Sequence, residues 1–311
     1  MDGVIVVVAP GQGSQTPGFL APWLDLPGAR ERLEAYGDAA QVDLIAAGTE
    51  WDADEIRDTS VAQPLIVAAS LLAWAELGAT AGSVAGVAGH SVGEVAALVA
   101  AGVLDPIEGM RLVGVRGRAM AEAAELEPSG MSAILGGEET DVIARLEALG
   151  LTPANYNGGG QIVAAGALPA LAALAEEPPA GARVIPLQVA GAFHTDFMTS
   201  AVEVLHAQAA ALTAEDPTMT LWTNRDGSVV TTGEQALDLL VGQIANPVRW
   251  DLCQAAFADA GVTGIIELTP AGTLVGLARR SLKGVPTVAV KTPDDLAAAR
   301  AMIEAEIAGE A

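Results

Sequence analysis

Short apolar segments alternate with longer segments of helical periodicity along most of the chain. The short segments predict strands at Val4–Val8, Val84–Ala88, Met219–Trp222, Thr263–Leu268 and Thr287–Val290. The longer segments predict helices at Gln63–Leu77, Glu94–Ala101, Pro106–Ala124, Met198–Leu212, Gln235–Ile244, Asp251–Ala260, Leu274–Leu282 and Asp294–Ile307. Strands that alternate with helices are typical of the α/β fold class.

One segment departs from this alternation. Between Ser129 and Leu187 the pattern predicts strand, helix, strand, strand, helix and strand at Met131–Leu135, Thr140–Leu149, Thr152–Tyr156, Ile162–Ala165, Ala170–Glu176 and Arg183–Leu187. This is the order of a ferredoxin-like domain, and Asn157–Gly160 is typical of a hairpin turn between its middle strands. We predict a large domain of residues 1–128 and 189–311 with a ferredoxin-like insertion of residues 129–188. A ligand-binding cleft is expected between the two.

Composition limits the compartment and the partners. The chain has 311 residues, one cysteine and a formal net charge of −24. A single cysteine rules out an internal disulfide and agrees with a reducing compartment. The N-terminus has no basic leader and no apolar run reaches the ~18 residues of a membrane span, so we expect a cytoplasmic protein. The absence of a basic stripe argues against nucleic acid as a partner.

The most informative motif is Gly-x-Ser-x-Gly, formed by Gly89, Ser91 and Gly93. It lies between a predicted strand and a predicted helix, which is the context of a nucleophile elbow. The N-terminus of the following helix directs backbone N–H groups at negative charge that develops beside the serine hydroxyl. The alternative interpretation is an ordinary strand-to-helix turn whose glycines serve packing.

A serine nucleophile needs a base. Of the three histidines, His194 lies in the loop that follows the inserted segment and is the base that we favour, whereas His90 and His206 have structural alternatives. Between Ser91 and His194 no acidic residue occupies the post-strand loop that would carry the acid of a hydrolase. This counts against a standard hydrolase, and a backbone or amide carbonyl is the alternative partner of the imidazole.

Arg116 falls on the apolar side of its predicted helix. A buried charge needs a partner, and no carboxylate is assigned to it, so we expect a carboxylate-bearing ligand. The alternative is an arginine whose stem is buried and whose head reaches solvent. The glycine-rich loop Ala9–Gln15 lacks P-loop and dinucleotide spacing; it either presents Gln12 beside the elbow or forms a simple turn. No His/Cys cluster suited to a metal ion is present.

These segments together resemble the malonyl-CoA:acyl-carrier-protein transacylase family in its actinobacterial form. The resemblance covers essentially the whole chain and rests on six segments: Pro10–Gln15, Gly89–Glu94, Arg116–Arg118, Asn155–Gln161, Ala192–Thr195 and Gln243–Trp250. It implies an α/β-hydrolase-like large domain with a ferredoxin-like insertion, and chemistry without a metal or redox cofactor.

The resemblance also implies residue roles. Ser91 would be the acylated nucleophile, His194 its base, and Arg116 the group that binds the malonyl carboxylate. The further implied site residues are the oxyanion-hole donors Gln12 and Val92, the histidine-orienting Gln243, and the cleft residues Asn155, Gln161 and the malonyl-selective Phe193.

The implied function is transfer of a malonyl group from malonyl-CoA to acyl carrier protein, in fatty-acid or polyketide synthesis, through a malonyl-serine ester. The alternatives are a serine hydrolase of small carboxylated esters or thioesters, and a non-catalytic module that binds the carrier protein. Arg116 has no use in a hydrolase of neutral esters, and an intact nucleophile and base argue against the module. Because the implied carrier protein is acidic, the docking surface is expected at the densest basic cluster, Arg279, Arg280 and Lys283.

Overall fold

The computed structural model describes residues 4–309, a mixed α/β structure with two sheets. Its strands are β1 (Ile5–Ala9), β2 (Gly86–Gly89), β3 (Ser129–Gly136), β4 (Thr152–Gly158), β5 (Gln161–Ala167), β6 (Ala182–Pro186), β7 (Thr220–Trp222), β8 (Val229–Val230), β9 (Val248–Arg249), β10 (Gly264–Glu267) and β11 (Thr287–Ala289). Its α-helices are α1 (Ala29–Ala40), α2 (Leu44–Thr49), α3 (Thr59–Leu77), α4 (Gly93–Ala100), α5 (Pro106–Leu126), α6 (Glu139–Leu149), α7 (Leu168–Glu176), α8 (Thr199–Ala209), α9 (Gly233–Gln243), α10 (Trp250–Asp259), α11 (Thr273–Ser281) and α12 (Leu296–Ile307). Residues 1–3 and 310–311, the two ends of the predicted large domain, lie outside the described residues.

The larger sheet has the strand order β11-β10-β1-β2-β7-β8, and all neighbours are parallel except β7 and β8. All five residues of β1 are buried, as expected for a parallel strand with both faces covered. In the register of β1 and β2, Ala9 pairs with Gly89. The loops that follow these two strands therefore begin side by side at the carboxyl edge of the sheet.

The smaller sheet has the order β6-β3-β5-β4-β9. Residues 129–186 supply its first four strands, all antiparallel, in the predicted order strand, helix, strand, strand, helix, strand. The fifth strand was not predicted. Val248–Arg249 lies in the connection between α9 and α10 and runs parallel to β4.

The hairpin between β4 and β5 begins later than predicted. β4 continues through Asn157 to Gly158, and the turn lies at Gly159 and Gly160. Asn157 stays extended because its backbone carbonyl accepts from Gln254 Nε2 at 2.9 Å and its side chain contacts His90. The three glycines all have positive φ values, which only glycine adopts readily.

Helix α3 forms the centre of the layer beside the larger sheet. By length and composition it is the one helix within residues 4–309 that could cross a membrane, but 72% of its apolar window is buried inside the fold. It packs against α5, and Gly117 of α5 allows close approach because a Cβ there would lie 2.9 Å from the Thr59 carbonyl oxygen. Helix α3 is therefore a core helix of this fold.

Candidate active site

Ser91 lies in a tight turn between β2 and α4. Its φ of +51° is in the left-handed region that non-glycine residues rarely occupy. The glycines on either side are required by contact: a Cβ on Gly89 would overlap the backbone of Gly93 and Glu94, and a Cβ on Gly93 would overlap the carbonyl of Ala9. Both glycines of the motif are therefore needed, because the turn packs closely against the end of β1 and against the first residues of α4.

The structure places His194 directly on Ser91. Ser91 Oγ lies 2.8 Å from His194 Nε2, and His194 Nδ1 lies 2.8 Å from the backbone carbonyl oxygen of Gln243. Because a carbonyl oxygen only accepts, Nδ1 carries the proton and Nε2 is free to accept the serine proton. His194 also has a left-handed φ, +63°, and its backbone N–H donates to Ile244. The turn before α10 thus fixes both the tautomer and the orientation of the imidazole.

The imidazole is buried and neutral. Burial, and after it the positive charge of Arg116, lower the pKa of His194 from its ordinary value to about 3. A histidine with such a low pKa is in the base form throughout the neutral range. It is therefore ready to accept a proton before any ligand is bound.

Arg116 is wholly buried on α5, with an exposed fraction of 0%. Its guanidinium donates to Gln63 Oε1 at 2.6 Å and to Gln243 Oε1 at 2.7 Å, and Nη2 lies 3.4 Å from Ser91 Oγ. No ion pair within 4.0 Å in residues 4–309 includes it. Burial lowers the pKa of Arg116 to about 10, which leaves the group charged at neutral pH. A cation that is held by amides beside a serine hydroxyl is suited to an anionic ligand group.

Two backbone donors flank the serine. Gln12 follows β1 and Val92 follows Ser91, and both line the same cavity as the serine. Within residues 4–309 neither backbone N–H has a hydrogen-bond acceptor, whereas the Ser91 N–H donates to Asn224 Oδ1 at 3.2 Å. Free backbone donors from the loop after β1 and from the start of α4 are an arrangement suited to stabilising an oxyanion.

A cavity of about 550 Å³ is lined by Gln12, Ser91, Val92 and His194. Arg116 is not part of this lining but lies 3.4 Å from Ser91 Oγ. One wall comes from the elbow, the Gln12 loop and the start of α11, and the opposite wall comes from strands β3, β4 and β5. Of the residues predicted for the cleft, the structure places Asn155, Gln161 and Phe193 in its lining. The predicted cleft between the two parts of the chain is thus present, with Ser91 and His194 in it.

The predicted docking residues are not part of this lining. Arg279, Arg280 and Lys283 are exposed, at and just beyond the end of α11. The first turns of the same helix, through Thr273 and Leu277, contact the cavity. The basic cluster therefore lies at the C-terminal end of the helix whose first turns line the cavity.

Sequence reasoning missed the role of Glu94. Its side chain is 3% exposed and accepts hydrogen bonds from Thr223 Oγ1, the Asn224 backbone N–H and Gln243 Nε2. The available signal was an acidic residue in the first turn of an otherwise apolar helix. Gln63, which holds Arg116, gave no sequence signal beyond its place in a core helix. Within the described part of the chain, no group of three His, Cys, Asp or Glu side chains is placed to hold a metal ion.

A serine in a strained elbow, a neutral histidine on its hydroxyl and free backbone donors beside it form an arrangement suited to acyl transfer through a serine ester. Residues 6–309 match the family model described as the acyl transferase domain, and the chain belongs to this family. The malonyl CoA-acyl carrier protein transacylase of Mycobacterium tuberculosis is 55% identical over 296 residues, covering 94% of this chain and 98% of the relative.

Solved structures support the same family assignment. The crystal structure of MCAT from Mycobacterium tuberculosis matches with a TM-score of 0.92 and 55% identity, over 94% of this chain and 98% of that one. A malonyl-transacylase solved in complex with a type II polyketide synthase acyl-carrier protein matches with a TM-score of 0.90 and 29% identity, over 96% and 100%. The similarity therefore extends over the whole domain of each relative.

Proposed function

We propose that this acyltransferase moves a malonyl group from malonyl-CoA to the phosphopantetheine thiol of an acyl carrier protein, through a malonyl ester on Ser91. The observation that carries the proposal is Arg116, a fully buried cation 3.4 Å from the serine hydroxyl with no carboxylate of residues 4–309 within 4.0 Å. The names of the 55% identical relatives agree with it.

In the first half-reaction, Ser91 Oγ attacks the thioester carbonyl while its proton passes to His194 Nε2. The carbonyl oxygen becomes an oxyanion beside the backbone N–H groups of Gln12 and Val92. The malonyl carboxylate, held by Arg116, offsets the positive charge that lowers the pKa of His194. Protonation of the imidazole is therefore easier with malonate bound than without it. The C–S bond then breaks, and the coenzyme A sulfur leaves with the proton from His194.

The second half-reaction reverses these roles. The phosphopantetheine thiol gives its proton to His194, and the sulfur attacks the ester carbonyl. The C–O bond to Ser91 breaks, and Ser91 Oγ recovers the proton from His194. Every proton transfer uses side chains of this chain and the two thiols, so the proposal includes no metal or redox cofactor. A covalent intermediate of this kind gives ping-pong kinetics.

The two sheets support a division of the chain into two domains. We assign residues 1–128 and 189–311 to an α/β-hydrolase-like large domain and residues 129–188 to a ferredoxin-like insertion, with Asn155, Gln161 and Phe193 facing the acyl group. Strand β9 belongs to the large domain in sequence but extends the sheet of the insertion. A cytoplasmic location agrees with the reducing environment that the single, buried Cys253 indicates.

Intact mass spectrometry tests the proposal. The purified chain, mixed with malonyl-CoA, should gain one malonyl group, and holo acyl carrier protein should remove it. Ser91→Ala should form no adduct and retain less than a few per cent of transfer activity, because loss of the nucleophile costs about six orders of magnitude in comparable enzymes.

Two outcomes contradict the proposal. An adduct that water discharges as fast as carrier protein does would favour the hydrolase of carboxylated thioesters. A labelled Ser91→Ala variant would mean that another group is the nucleophile.

A further inference from the structure

The buried carboxylate of Glu94 is not used by the reaction scheme above. It lies three residues after the nucleophile and does not contact His194, so it is not the missing acid of a hydrolase triad. Its oxygens instead accept only from uncharged donors: Oε1 from Asn224 N and Thr223 Oγ1, and Oε2 from Gln243 Nε2 at 2.6 Å.

The side-chain amide of Gln243 is the link between this carboxylate and Arg116. Its Nε2 donates to Glu94 Oε2 and to the Ser91 backbone carbonyl at 3.1 Å, while its Oε1 accepts from Arg116 Nη2 at 2.7 Å. An amide has one donor side and one acceptor side. Whatever fixes the donor side toward the elbow therefore turns the acceptor side toward the guanidinium.

We propose that Glu94 is a positioning residue: its carboxylate sets the amide orientation of Gln243, and through it the aim of the Arg116 guanidinium at the malonyl carboxylate. This inference rests on the proposed function, in which Arg116 binds that carboxylate. Gln243 then has two separable tasks, because its backbone carbonyl holds His194 and its side chain holds Arg116.

A carboxylate is the group that meets all these demands at once. Both of its oxygens face donors, and the Asn224 donor is a backbone N–H that cannot rotate away. A glutamine at this position would place its own NH₂ group against a donor on one side or the other. If the introduced NH₂ group faces Gln243 Nε2, two donors oppose each other. The Gln243 amide then turns over and presents its NH₂ group to Arg116.

The negative charge of Glu94 also helps Arg116 to bind an anionic ligand group. Burial raises the pKa of Glu94, while the hydrogen bonds that it accepts from Asn224, Thr223 and Gln243 lower it and favour the carboxylate. This carboxylate opposes the lowering of the Arg116 pKa by burial and so favours the charged guanidinium across one intervening amide. Arg116 thereby keeps its charge while its direct contacts are neutral oxygens. The guanidinium stays available to an incoming carboxylate because no carboxylate in the described part of the chain forms an ion pair with it.

The test is the ratio of the kcat/KM values for malonyl-CoA and acetyl-CoA. Glu94→Gln keeps the shape of the side chain and should lower this ratio by about 10- to 100-fold, the range expected when a hydrogen bond to a charged group is mispaired. Acetyl transfer should change little, because acetyl has no carboxylate to place on Arg116. Circular dichroism and thermal unfolding verify that the variant is folded.

Thr223→Val is the matched control. It removes one donor to the same carboxylate but does not touch Gln243, so it should lower thermal stability and leave the ratio within about threefold of the unsubstituted protein. Gln243→Met keeps the backbone carbonyl on His194 and removes the amide. The double variant Glu94→Gln/Gln243→Met should lower the ratio no further than the more damaging single variant, because both act through one contact.

The outcomes separate this inference from the proposed function. If Glu94→Gln lowers malonyl and acetyl transfer equally, or leaves the ratio unchanged while Arg116→Ala shifts it, the positioning role is wrong and the malonyl site stands. If the unsubstituted protein shows no preference for malonyl-CoA, the proposed function itself is wrong.

Discussion

Arg116 is fixed before any substrate binds. Gln63 and Gln243 each accept one hydrogen bond from its guanidinium, and Nε has no partner within the described residues. A side chain held in this way loses little further conformational entropy when a carboxylate binds. The contact therefore contributes to the binding free energy without a large entropic cost. Specificity for a carboxylated acyl group is thus expected to depend strongly on this one residue.

Arg116→Ala should change which substrate is used. The malonyl carboxylate would be left in the cleft without a partner, which costs roughly 2–5 kcal/mol, or about 30-fold to several thousand-fold in kcat/KM for malonyl-CoA. Acetyl-CoA should lose almost nothing. Arg116→Lys should recover part of the preference, since it restores the charge but not the planar fork. Steady-state kinetics with both thioesters measures the effect, and a parallel loss on both would show that Arg116 is structural.

Single residues differ in how readily their roles can be predicted. Ser91 could be singled out by the two glycines that flank it, and Arg116 by its place on the apolar side of its predicted helix. Both signals depend only on residues that are close in the sequence. Glu94 could not be singled out in this way, because its function depends on Gln243, 149 positions away in the sequence. His194 could be favoured because only three histidines are present and it follows the inserted segment. The role of Gln12 needed the family resemblance, since a loop residue carries no periodicity that indicates where it points.

At the scale of elements, the elbow is the most tightly packed connection in the site. Gly93→Ala places a methyl group against the Ala9 carbonyl, which belongs to backbone in the centre of the larger sheet and cannot move aside. We expect a loss of unfolding free energy of about 3 kcal/mol, the upper part of the range for overpacked cores, together with loss of Ser91 acylation. Urea unfolding followed by tryptophan fluorescence measures the first, and intact mass the second.

Gly276→Ala is the control for that substitution. Gly276 lies inside α11, and a Cβ there would meet nothing within 4 Å, so alanine should stabilise the chain by about 0.5–1 kcal/mol. If both variants were equally stable, the contact argument for the elbow would be refuted.

Most elements could be predicted because their apolar pattern is strong. The predicted and observed strands of the larger sheet differ by one or two residues at their ends, apart from β8, a two-residue strand with no pattern of its own. Helix α1 was not predicted because its buried residues are few and separated by charged ones: Ala29, Leu33, Tyr36, Gly37 and Ala40. Strand β9 was missed because its extended shape comes from pairing with β4 rather than from its own residues.

At the scale of the whole molecule, charge is unevenly distributed. The chain carries a formal net charge of −24, yet the end of α11 and the residues after it present three exposed cations: Arg279, Arg280 and Lys283. Replacing these three by alanine should raise the KM for carrier protein while malonyl-CoA labelling of Ser91 stays intact. The effect should shrink at high salt, because exposed charges act mainly on the rate of association and are screened.

A variant of equal charge provides the control for this prediction. Arg30, Arg111 and Arg225 are exposed outside the lining of the cavity, and their replacement by alanine lowers the net charge by the same amount. If both triple variants raise the KM equally at low ionic strength, total charge and not the α11 cluster governs docking. If replacing Arg279, Arg280 and Lys283 leaves the KM for carrier protein unchanged, the docking surface lies elsewhere.

The register of the larger sheet has a consequence for how the protein is made. Residues 5–8 of β1 pair on one side with residues 264–267 of β10. On a ribosome that adds about 5–20 residues per second, this buried strand is complete roughly 13–50 seconds before its partner exists. Strands β3 to β6 are contiguous in the chain and can pair while synthesis continues. The insertion is therefore expected to fold first on the nascent chain, and the edge of β1 to need shielding until residues 264–267 emerge.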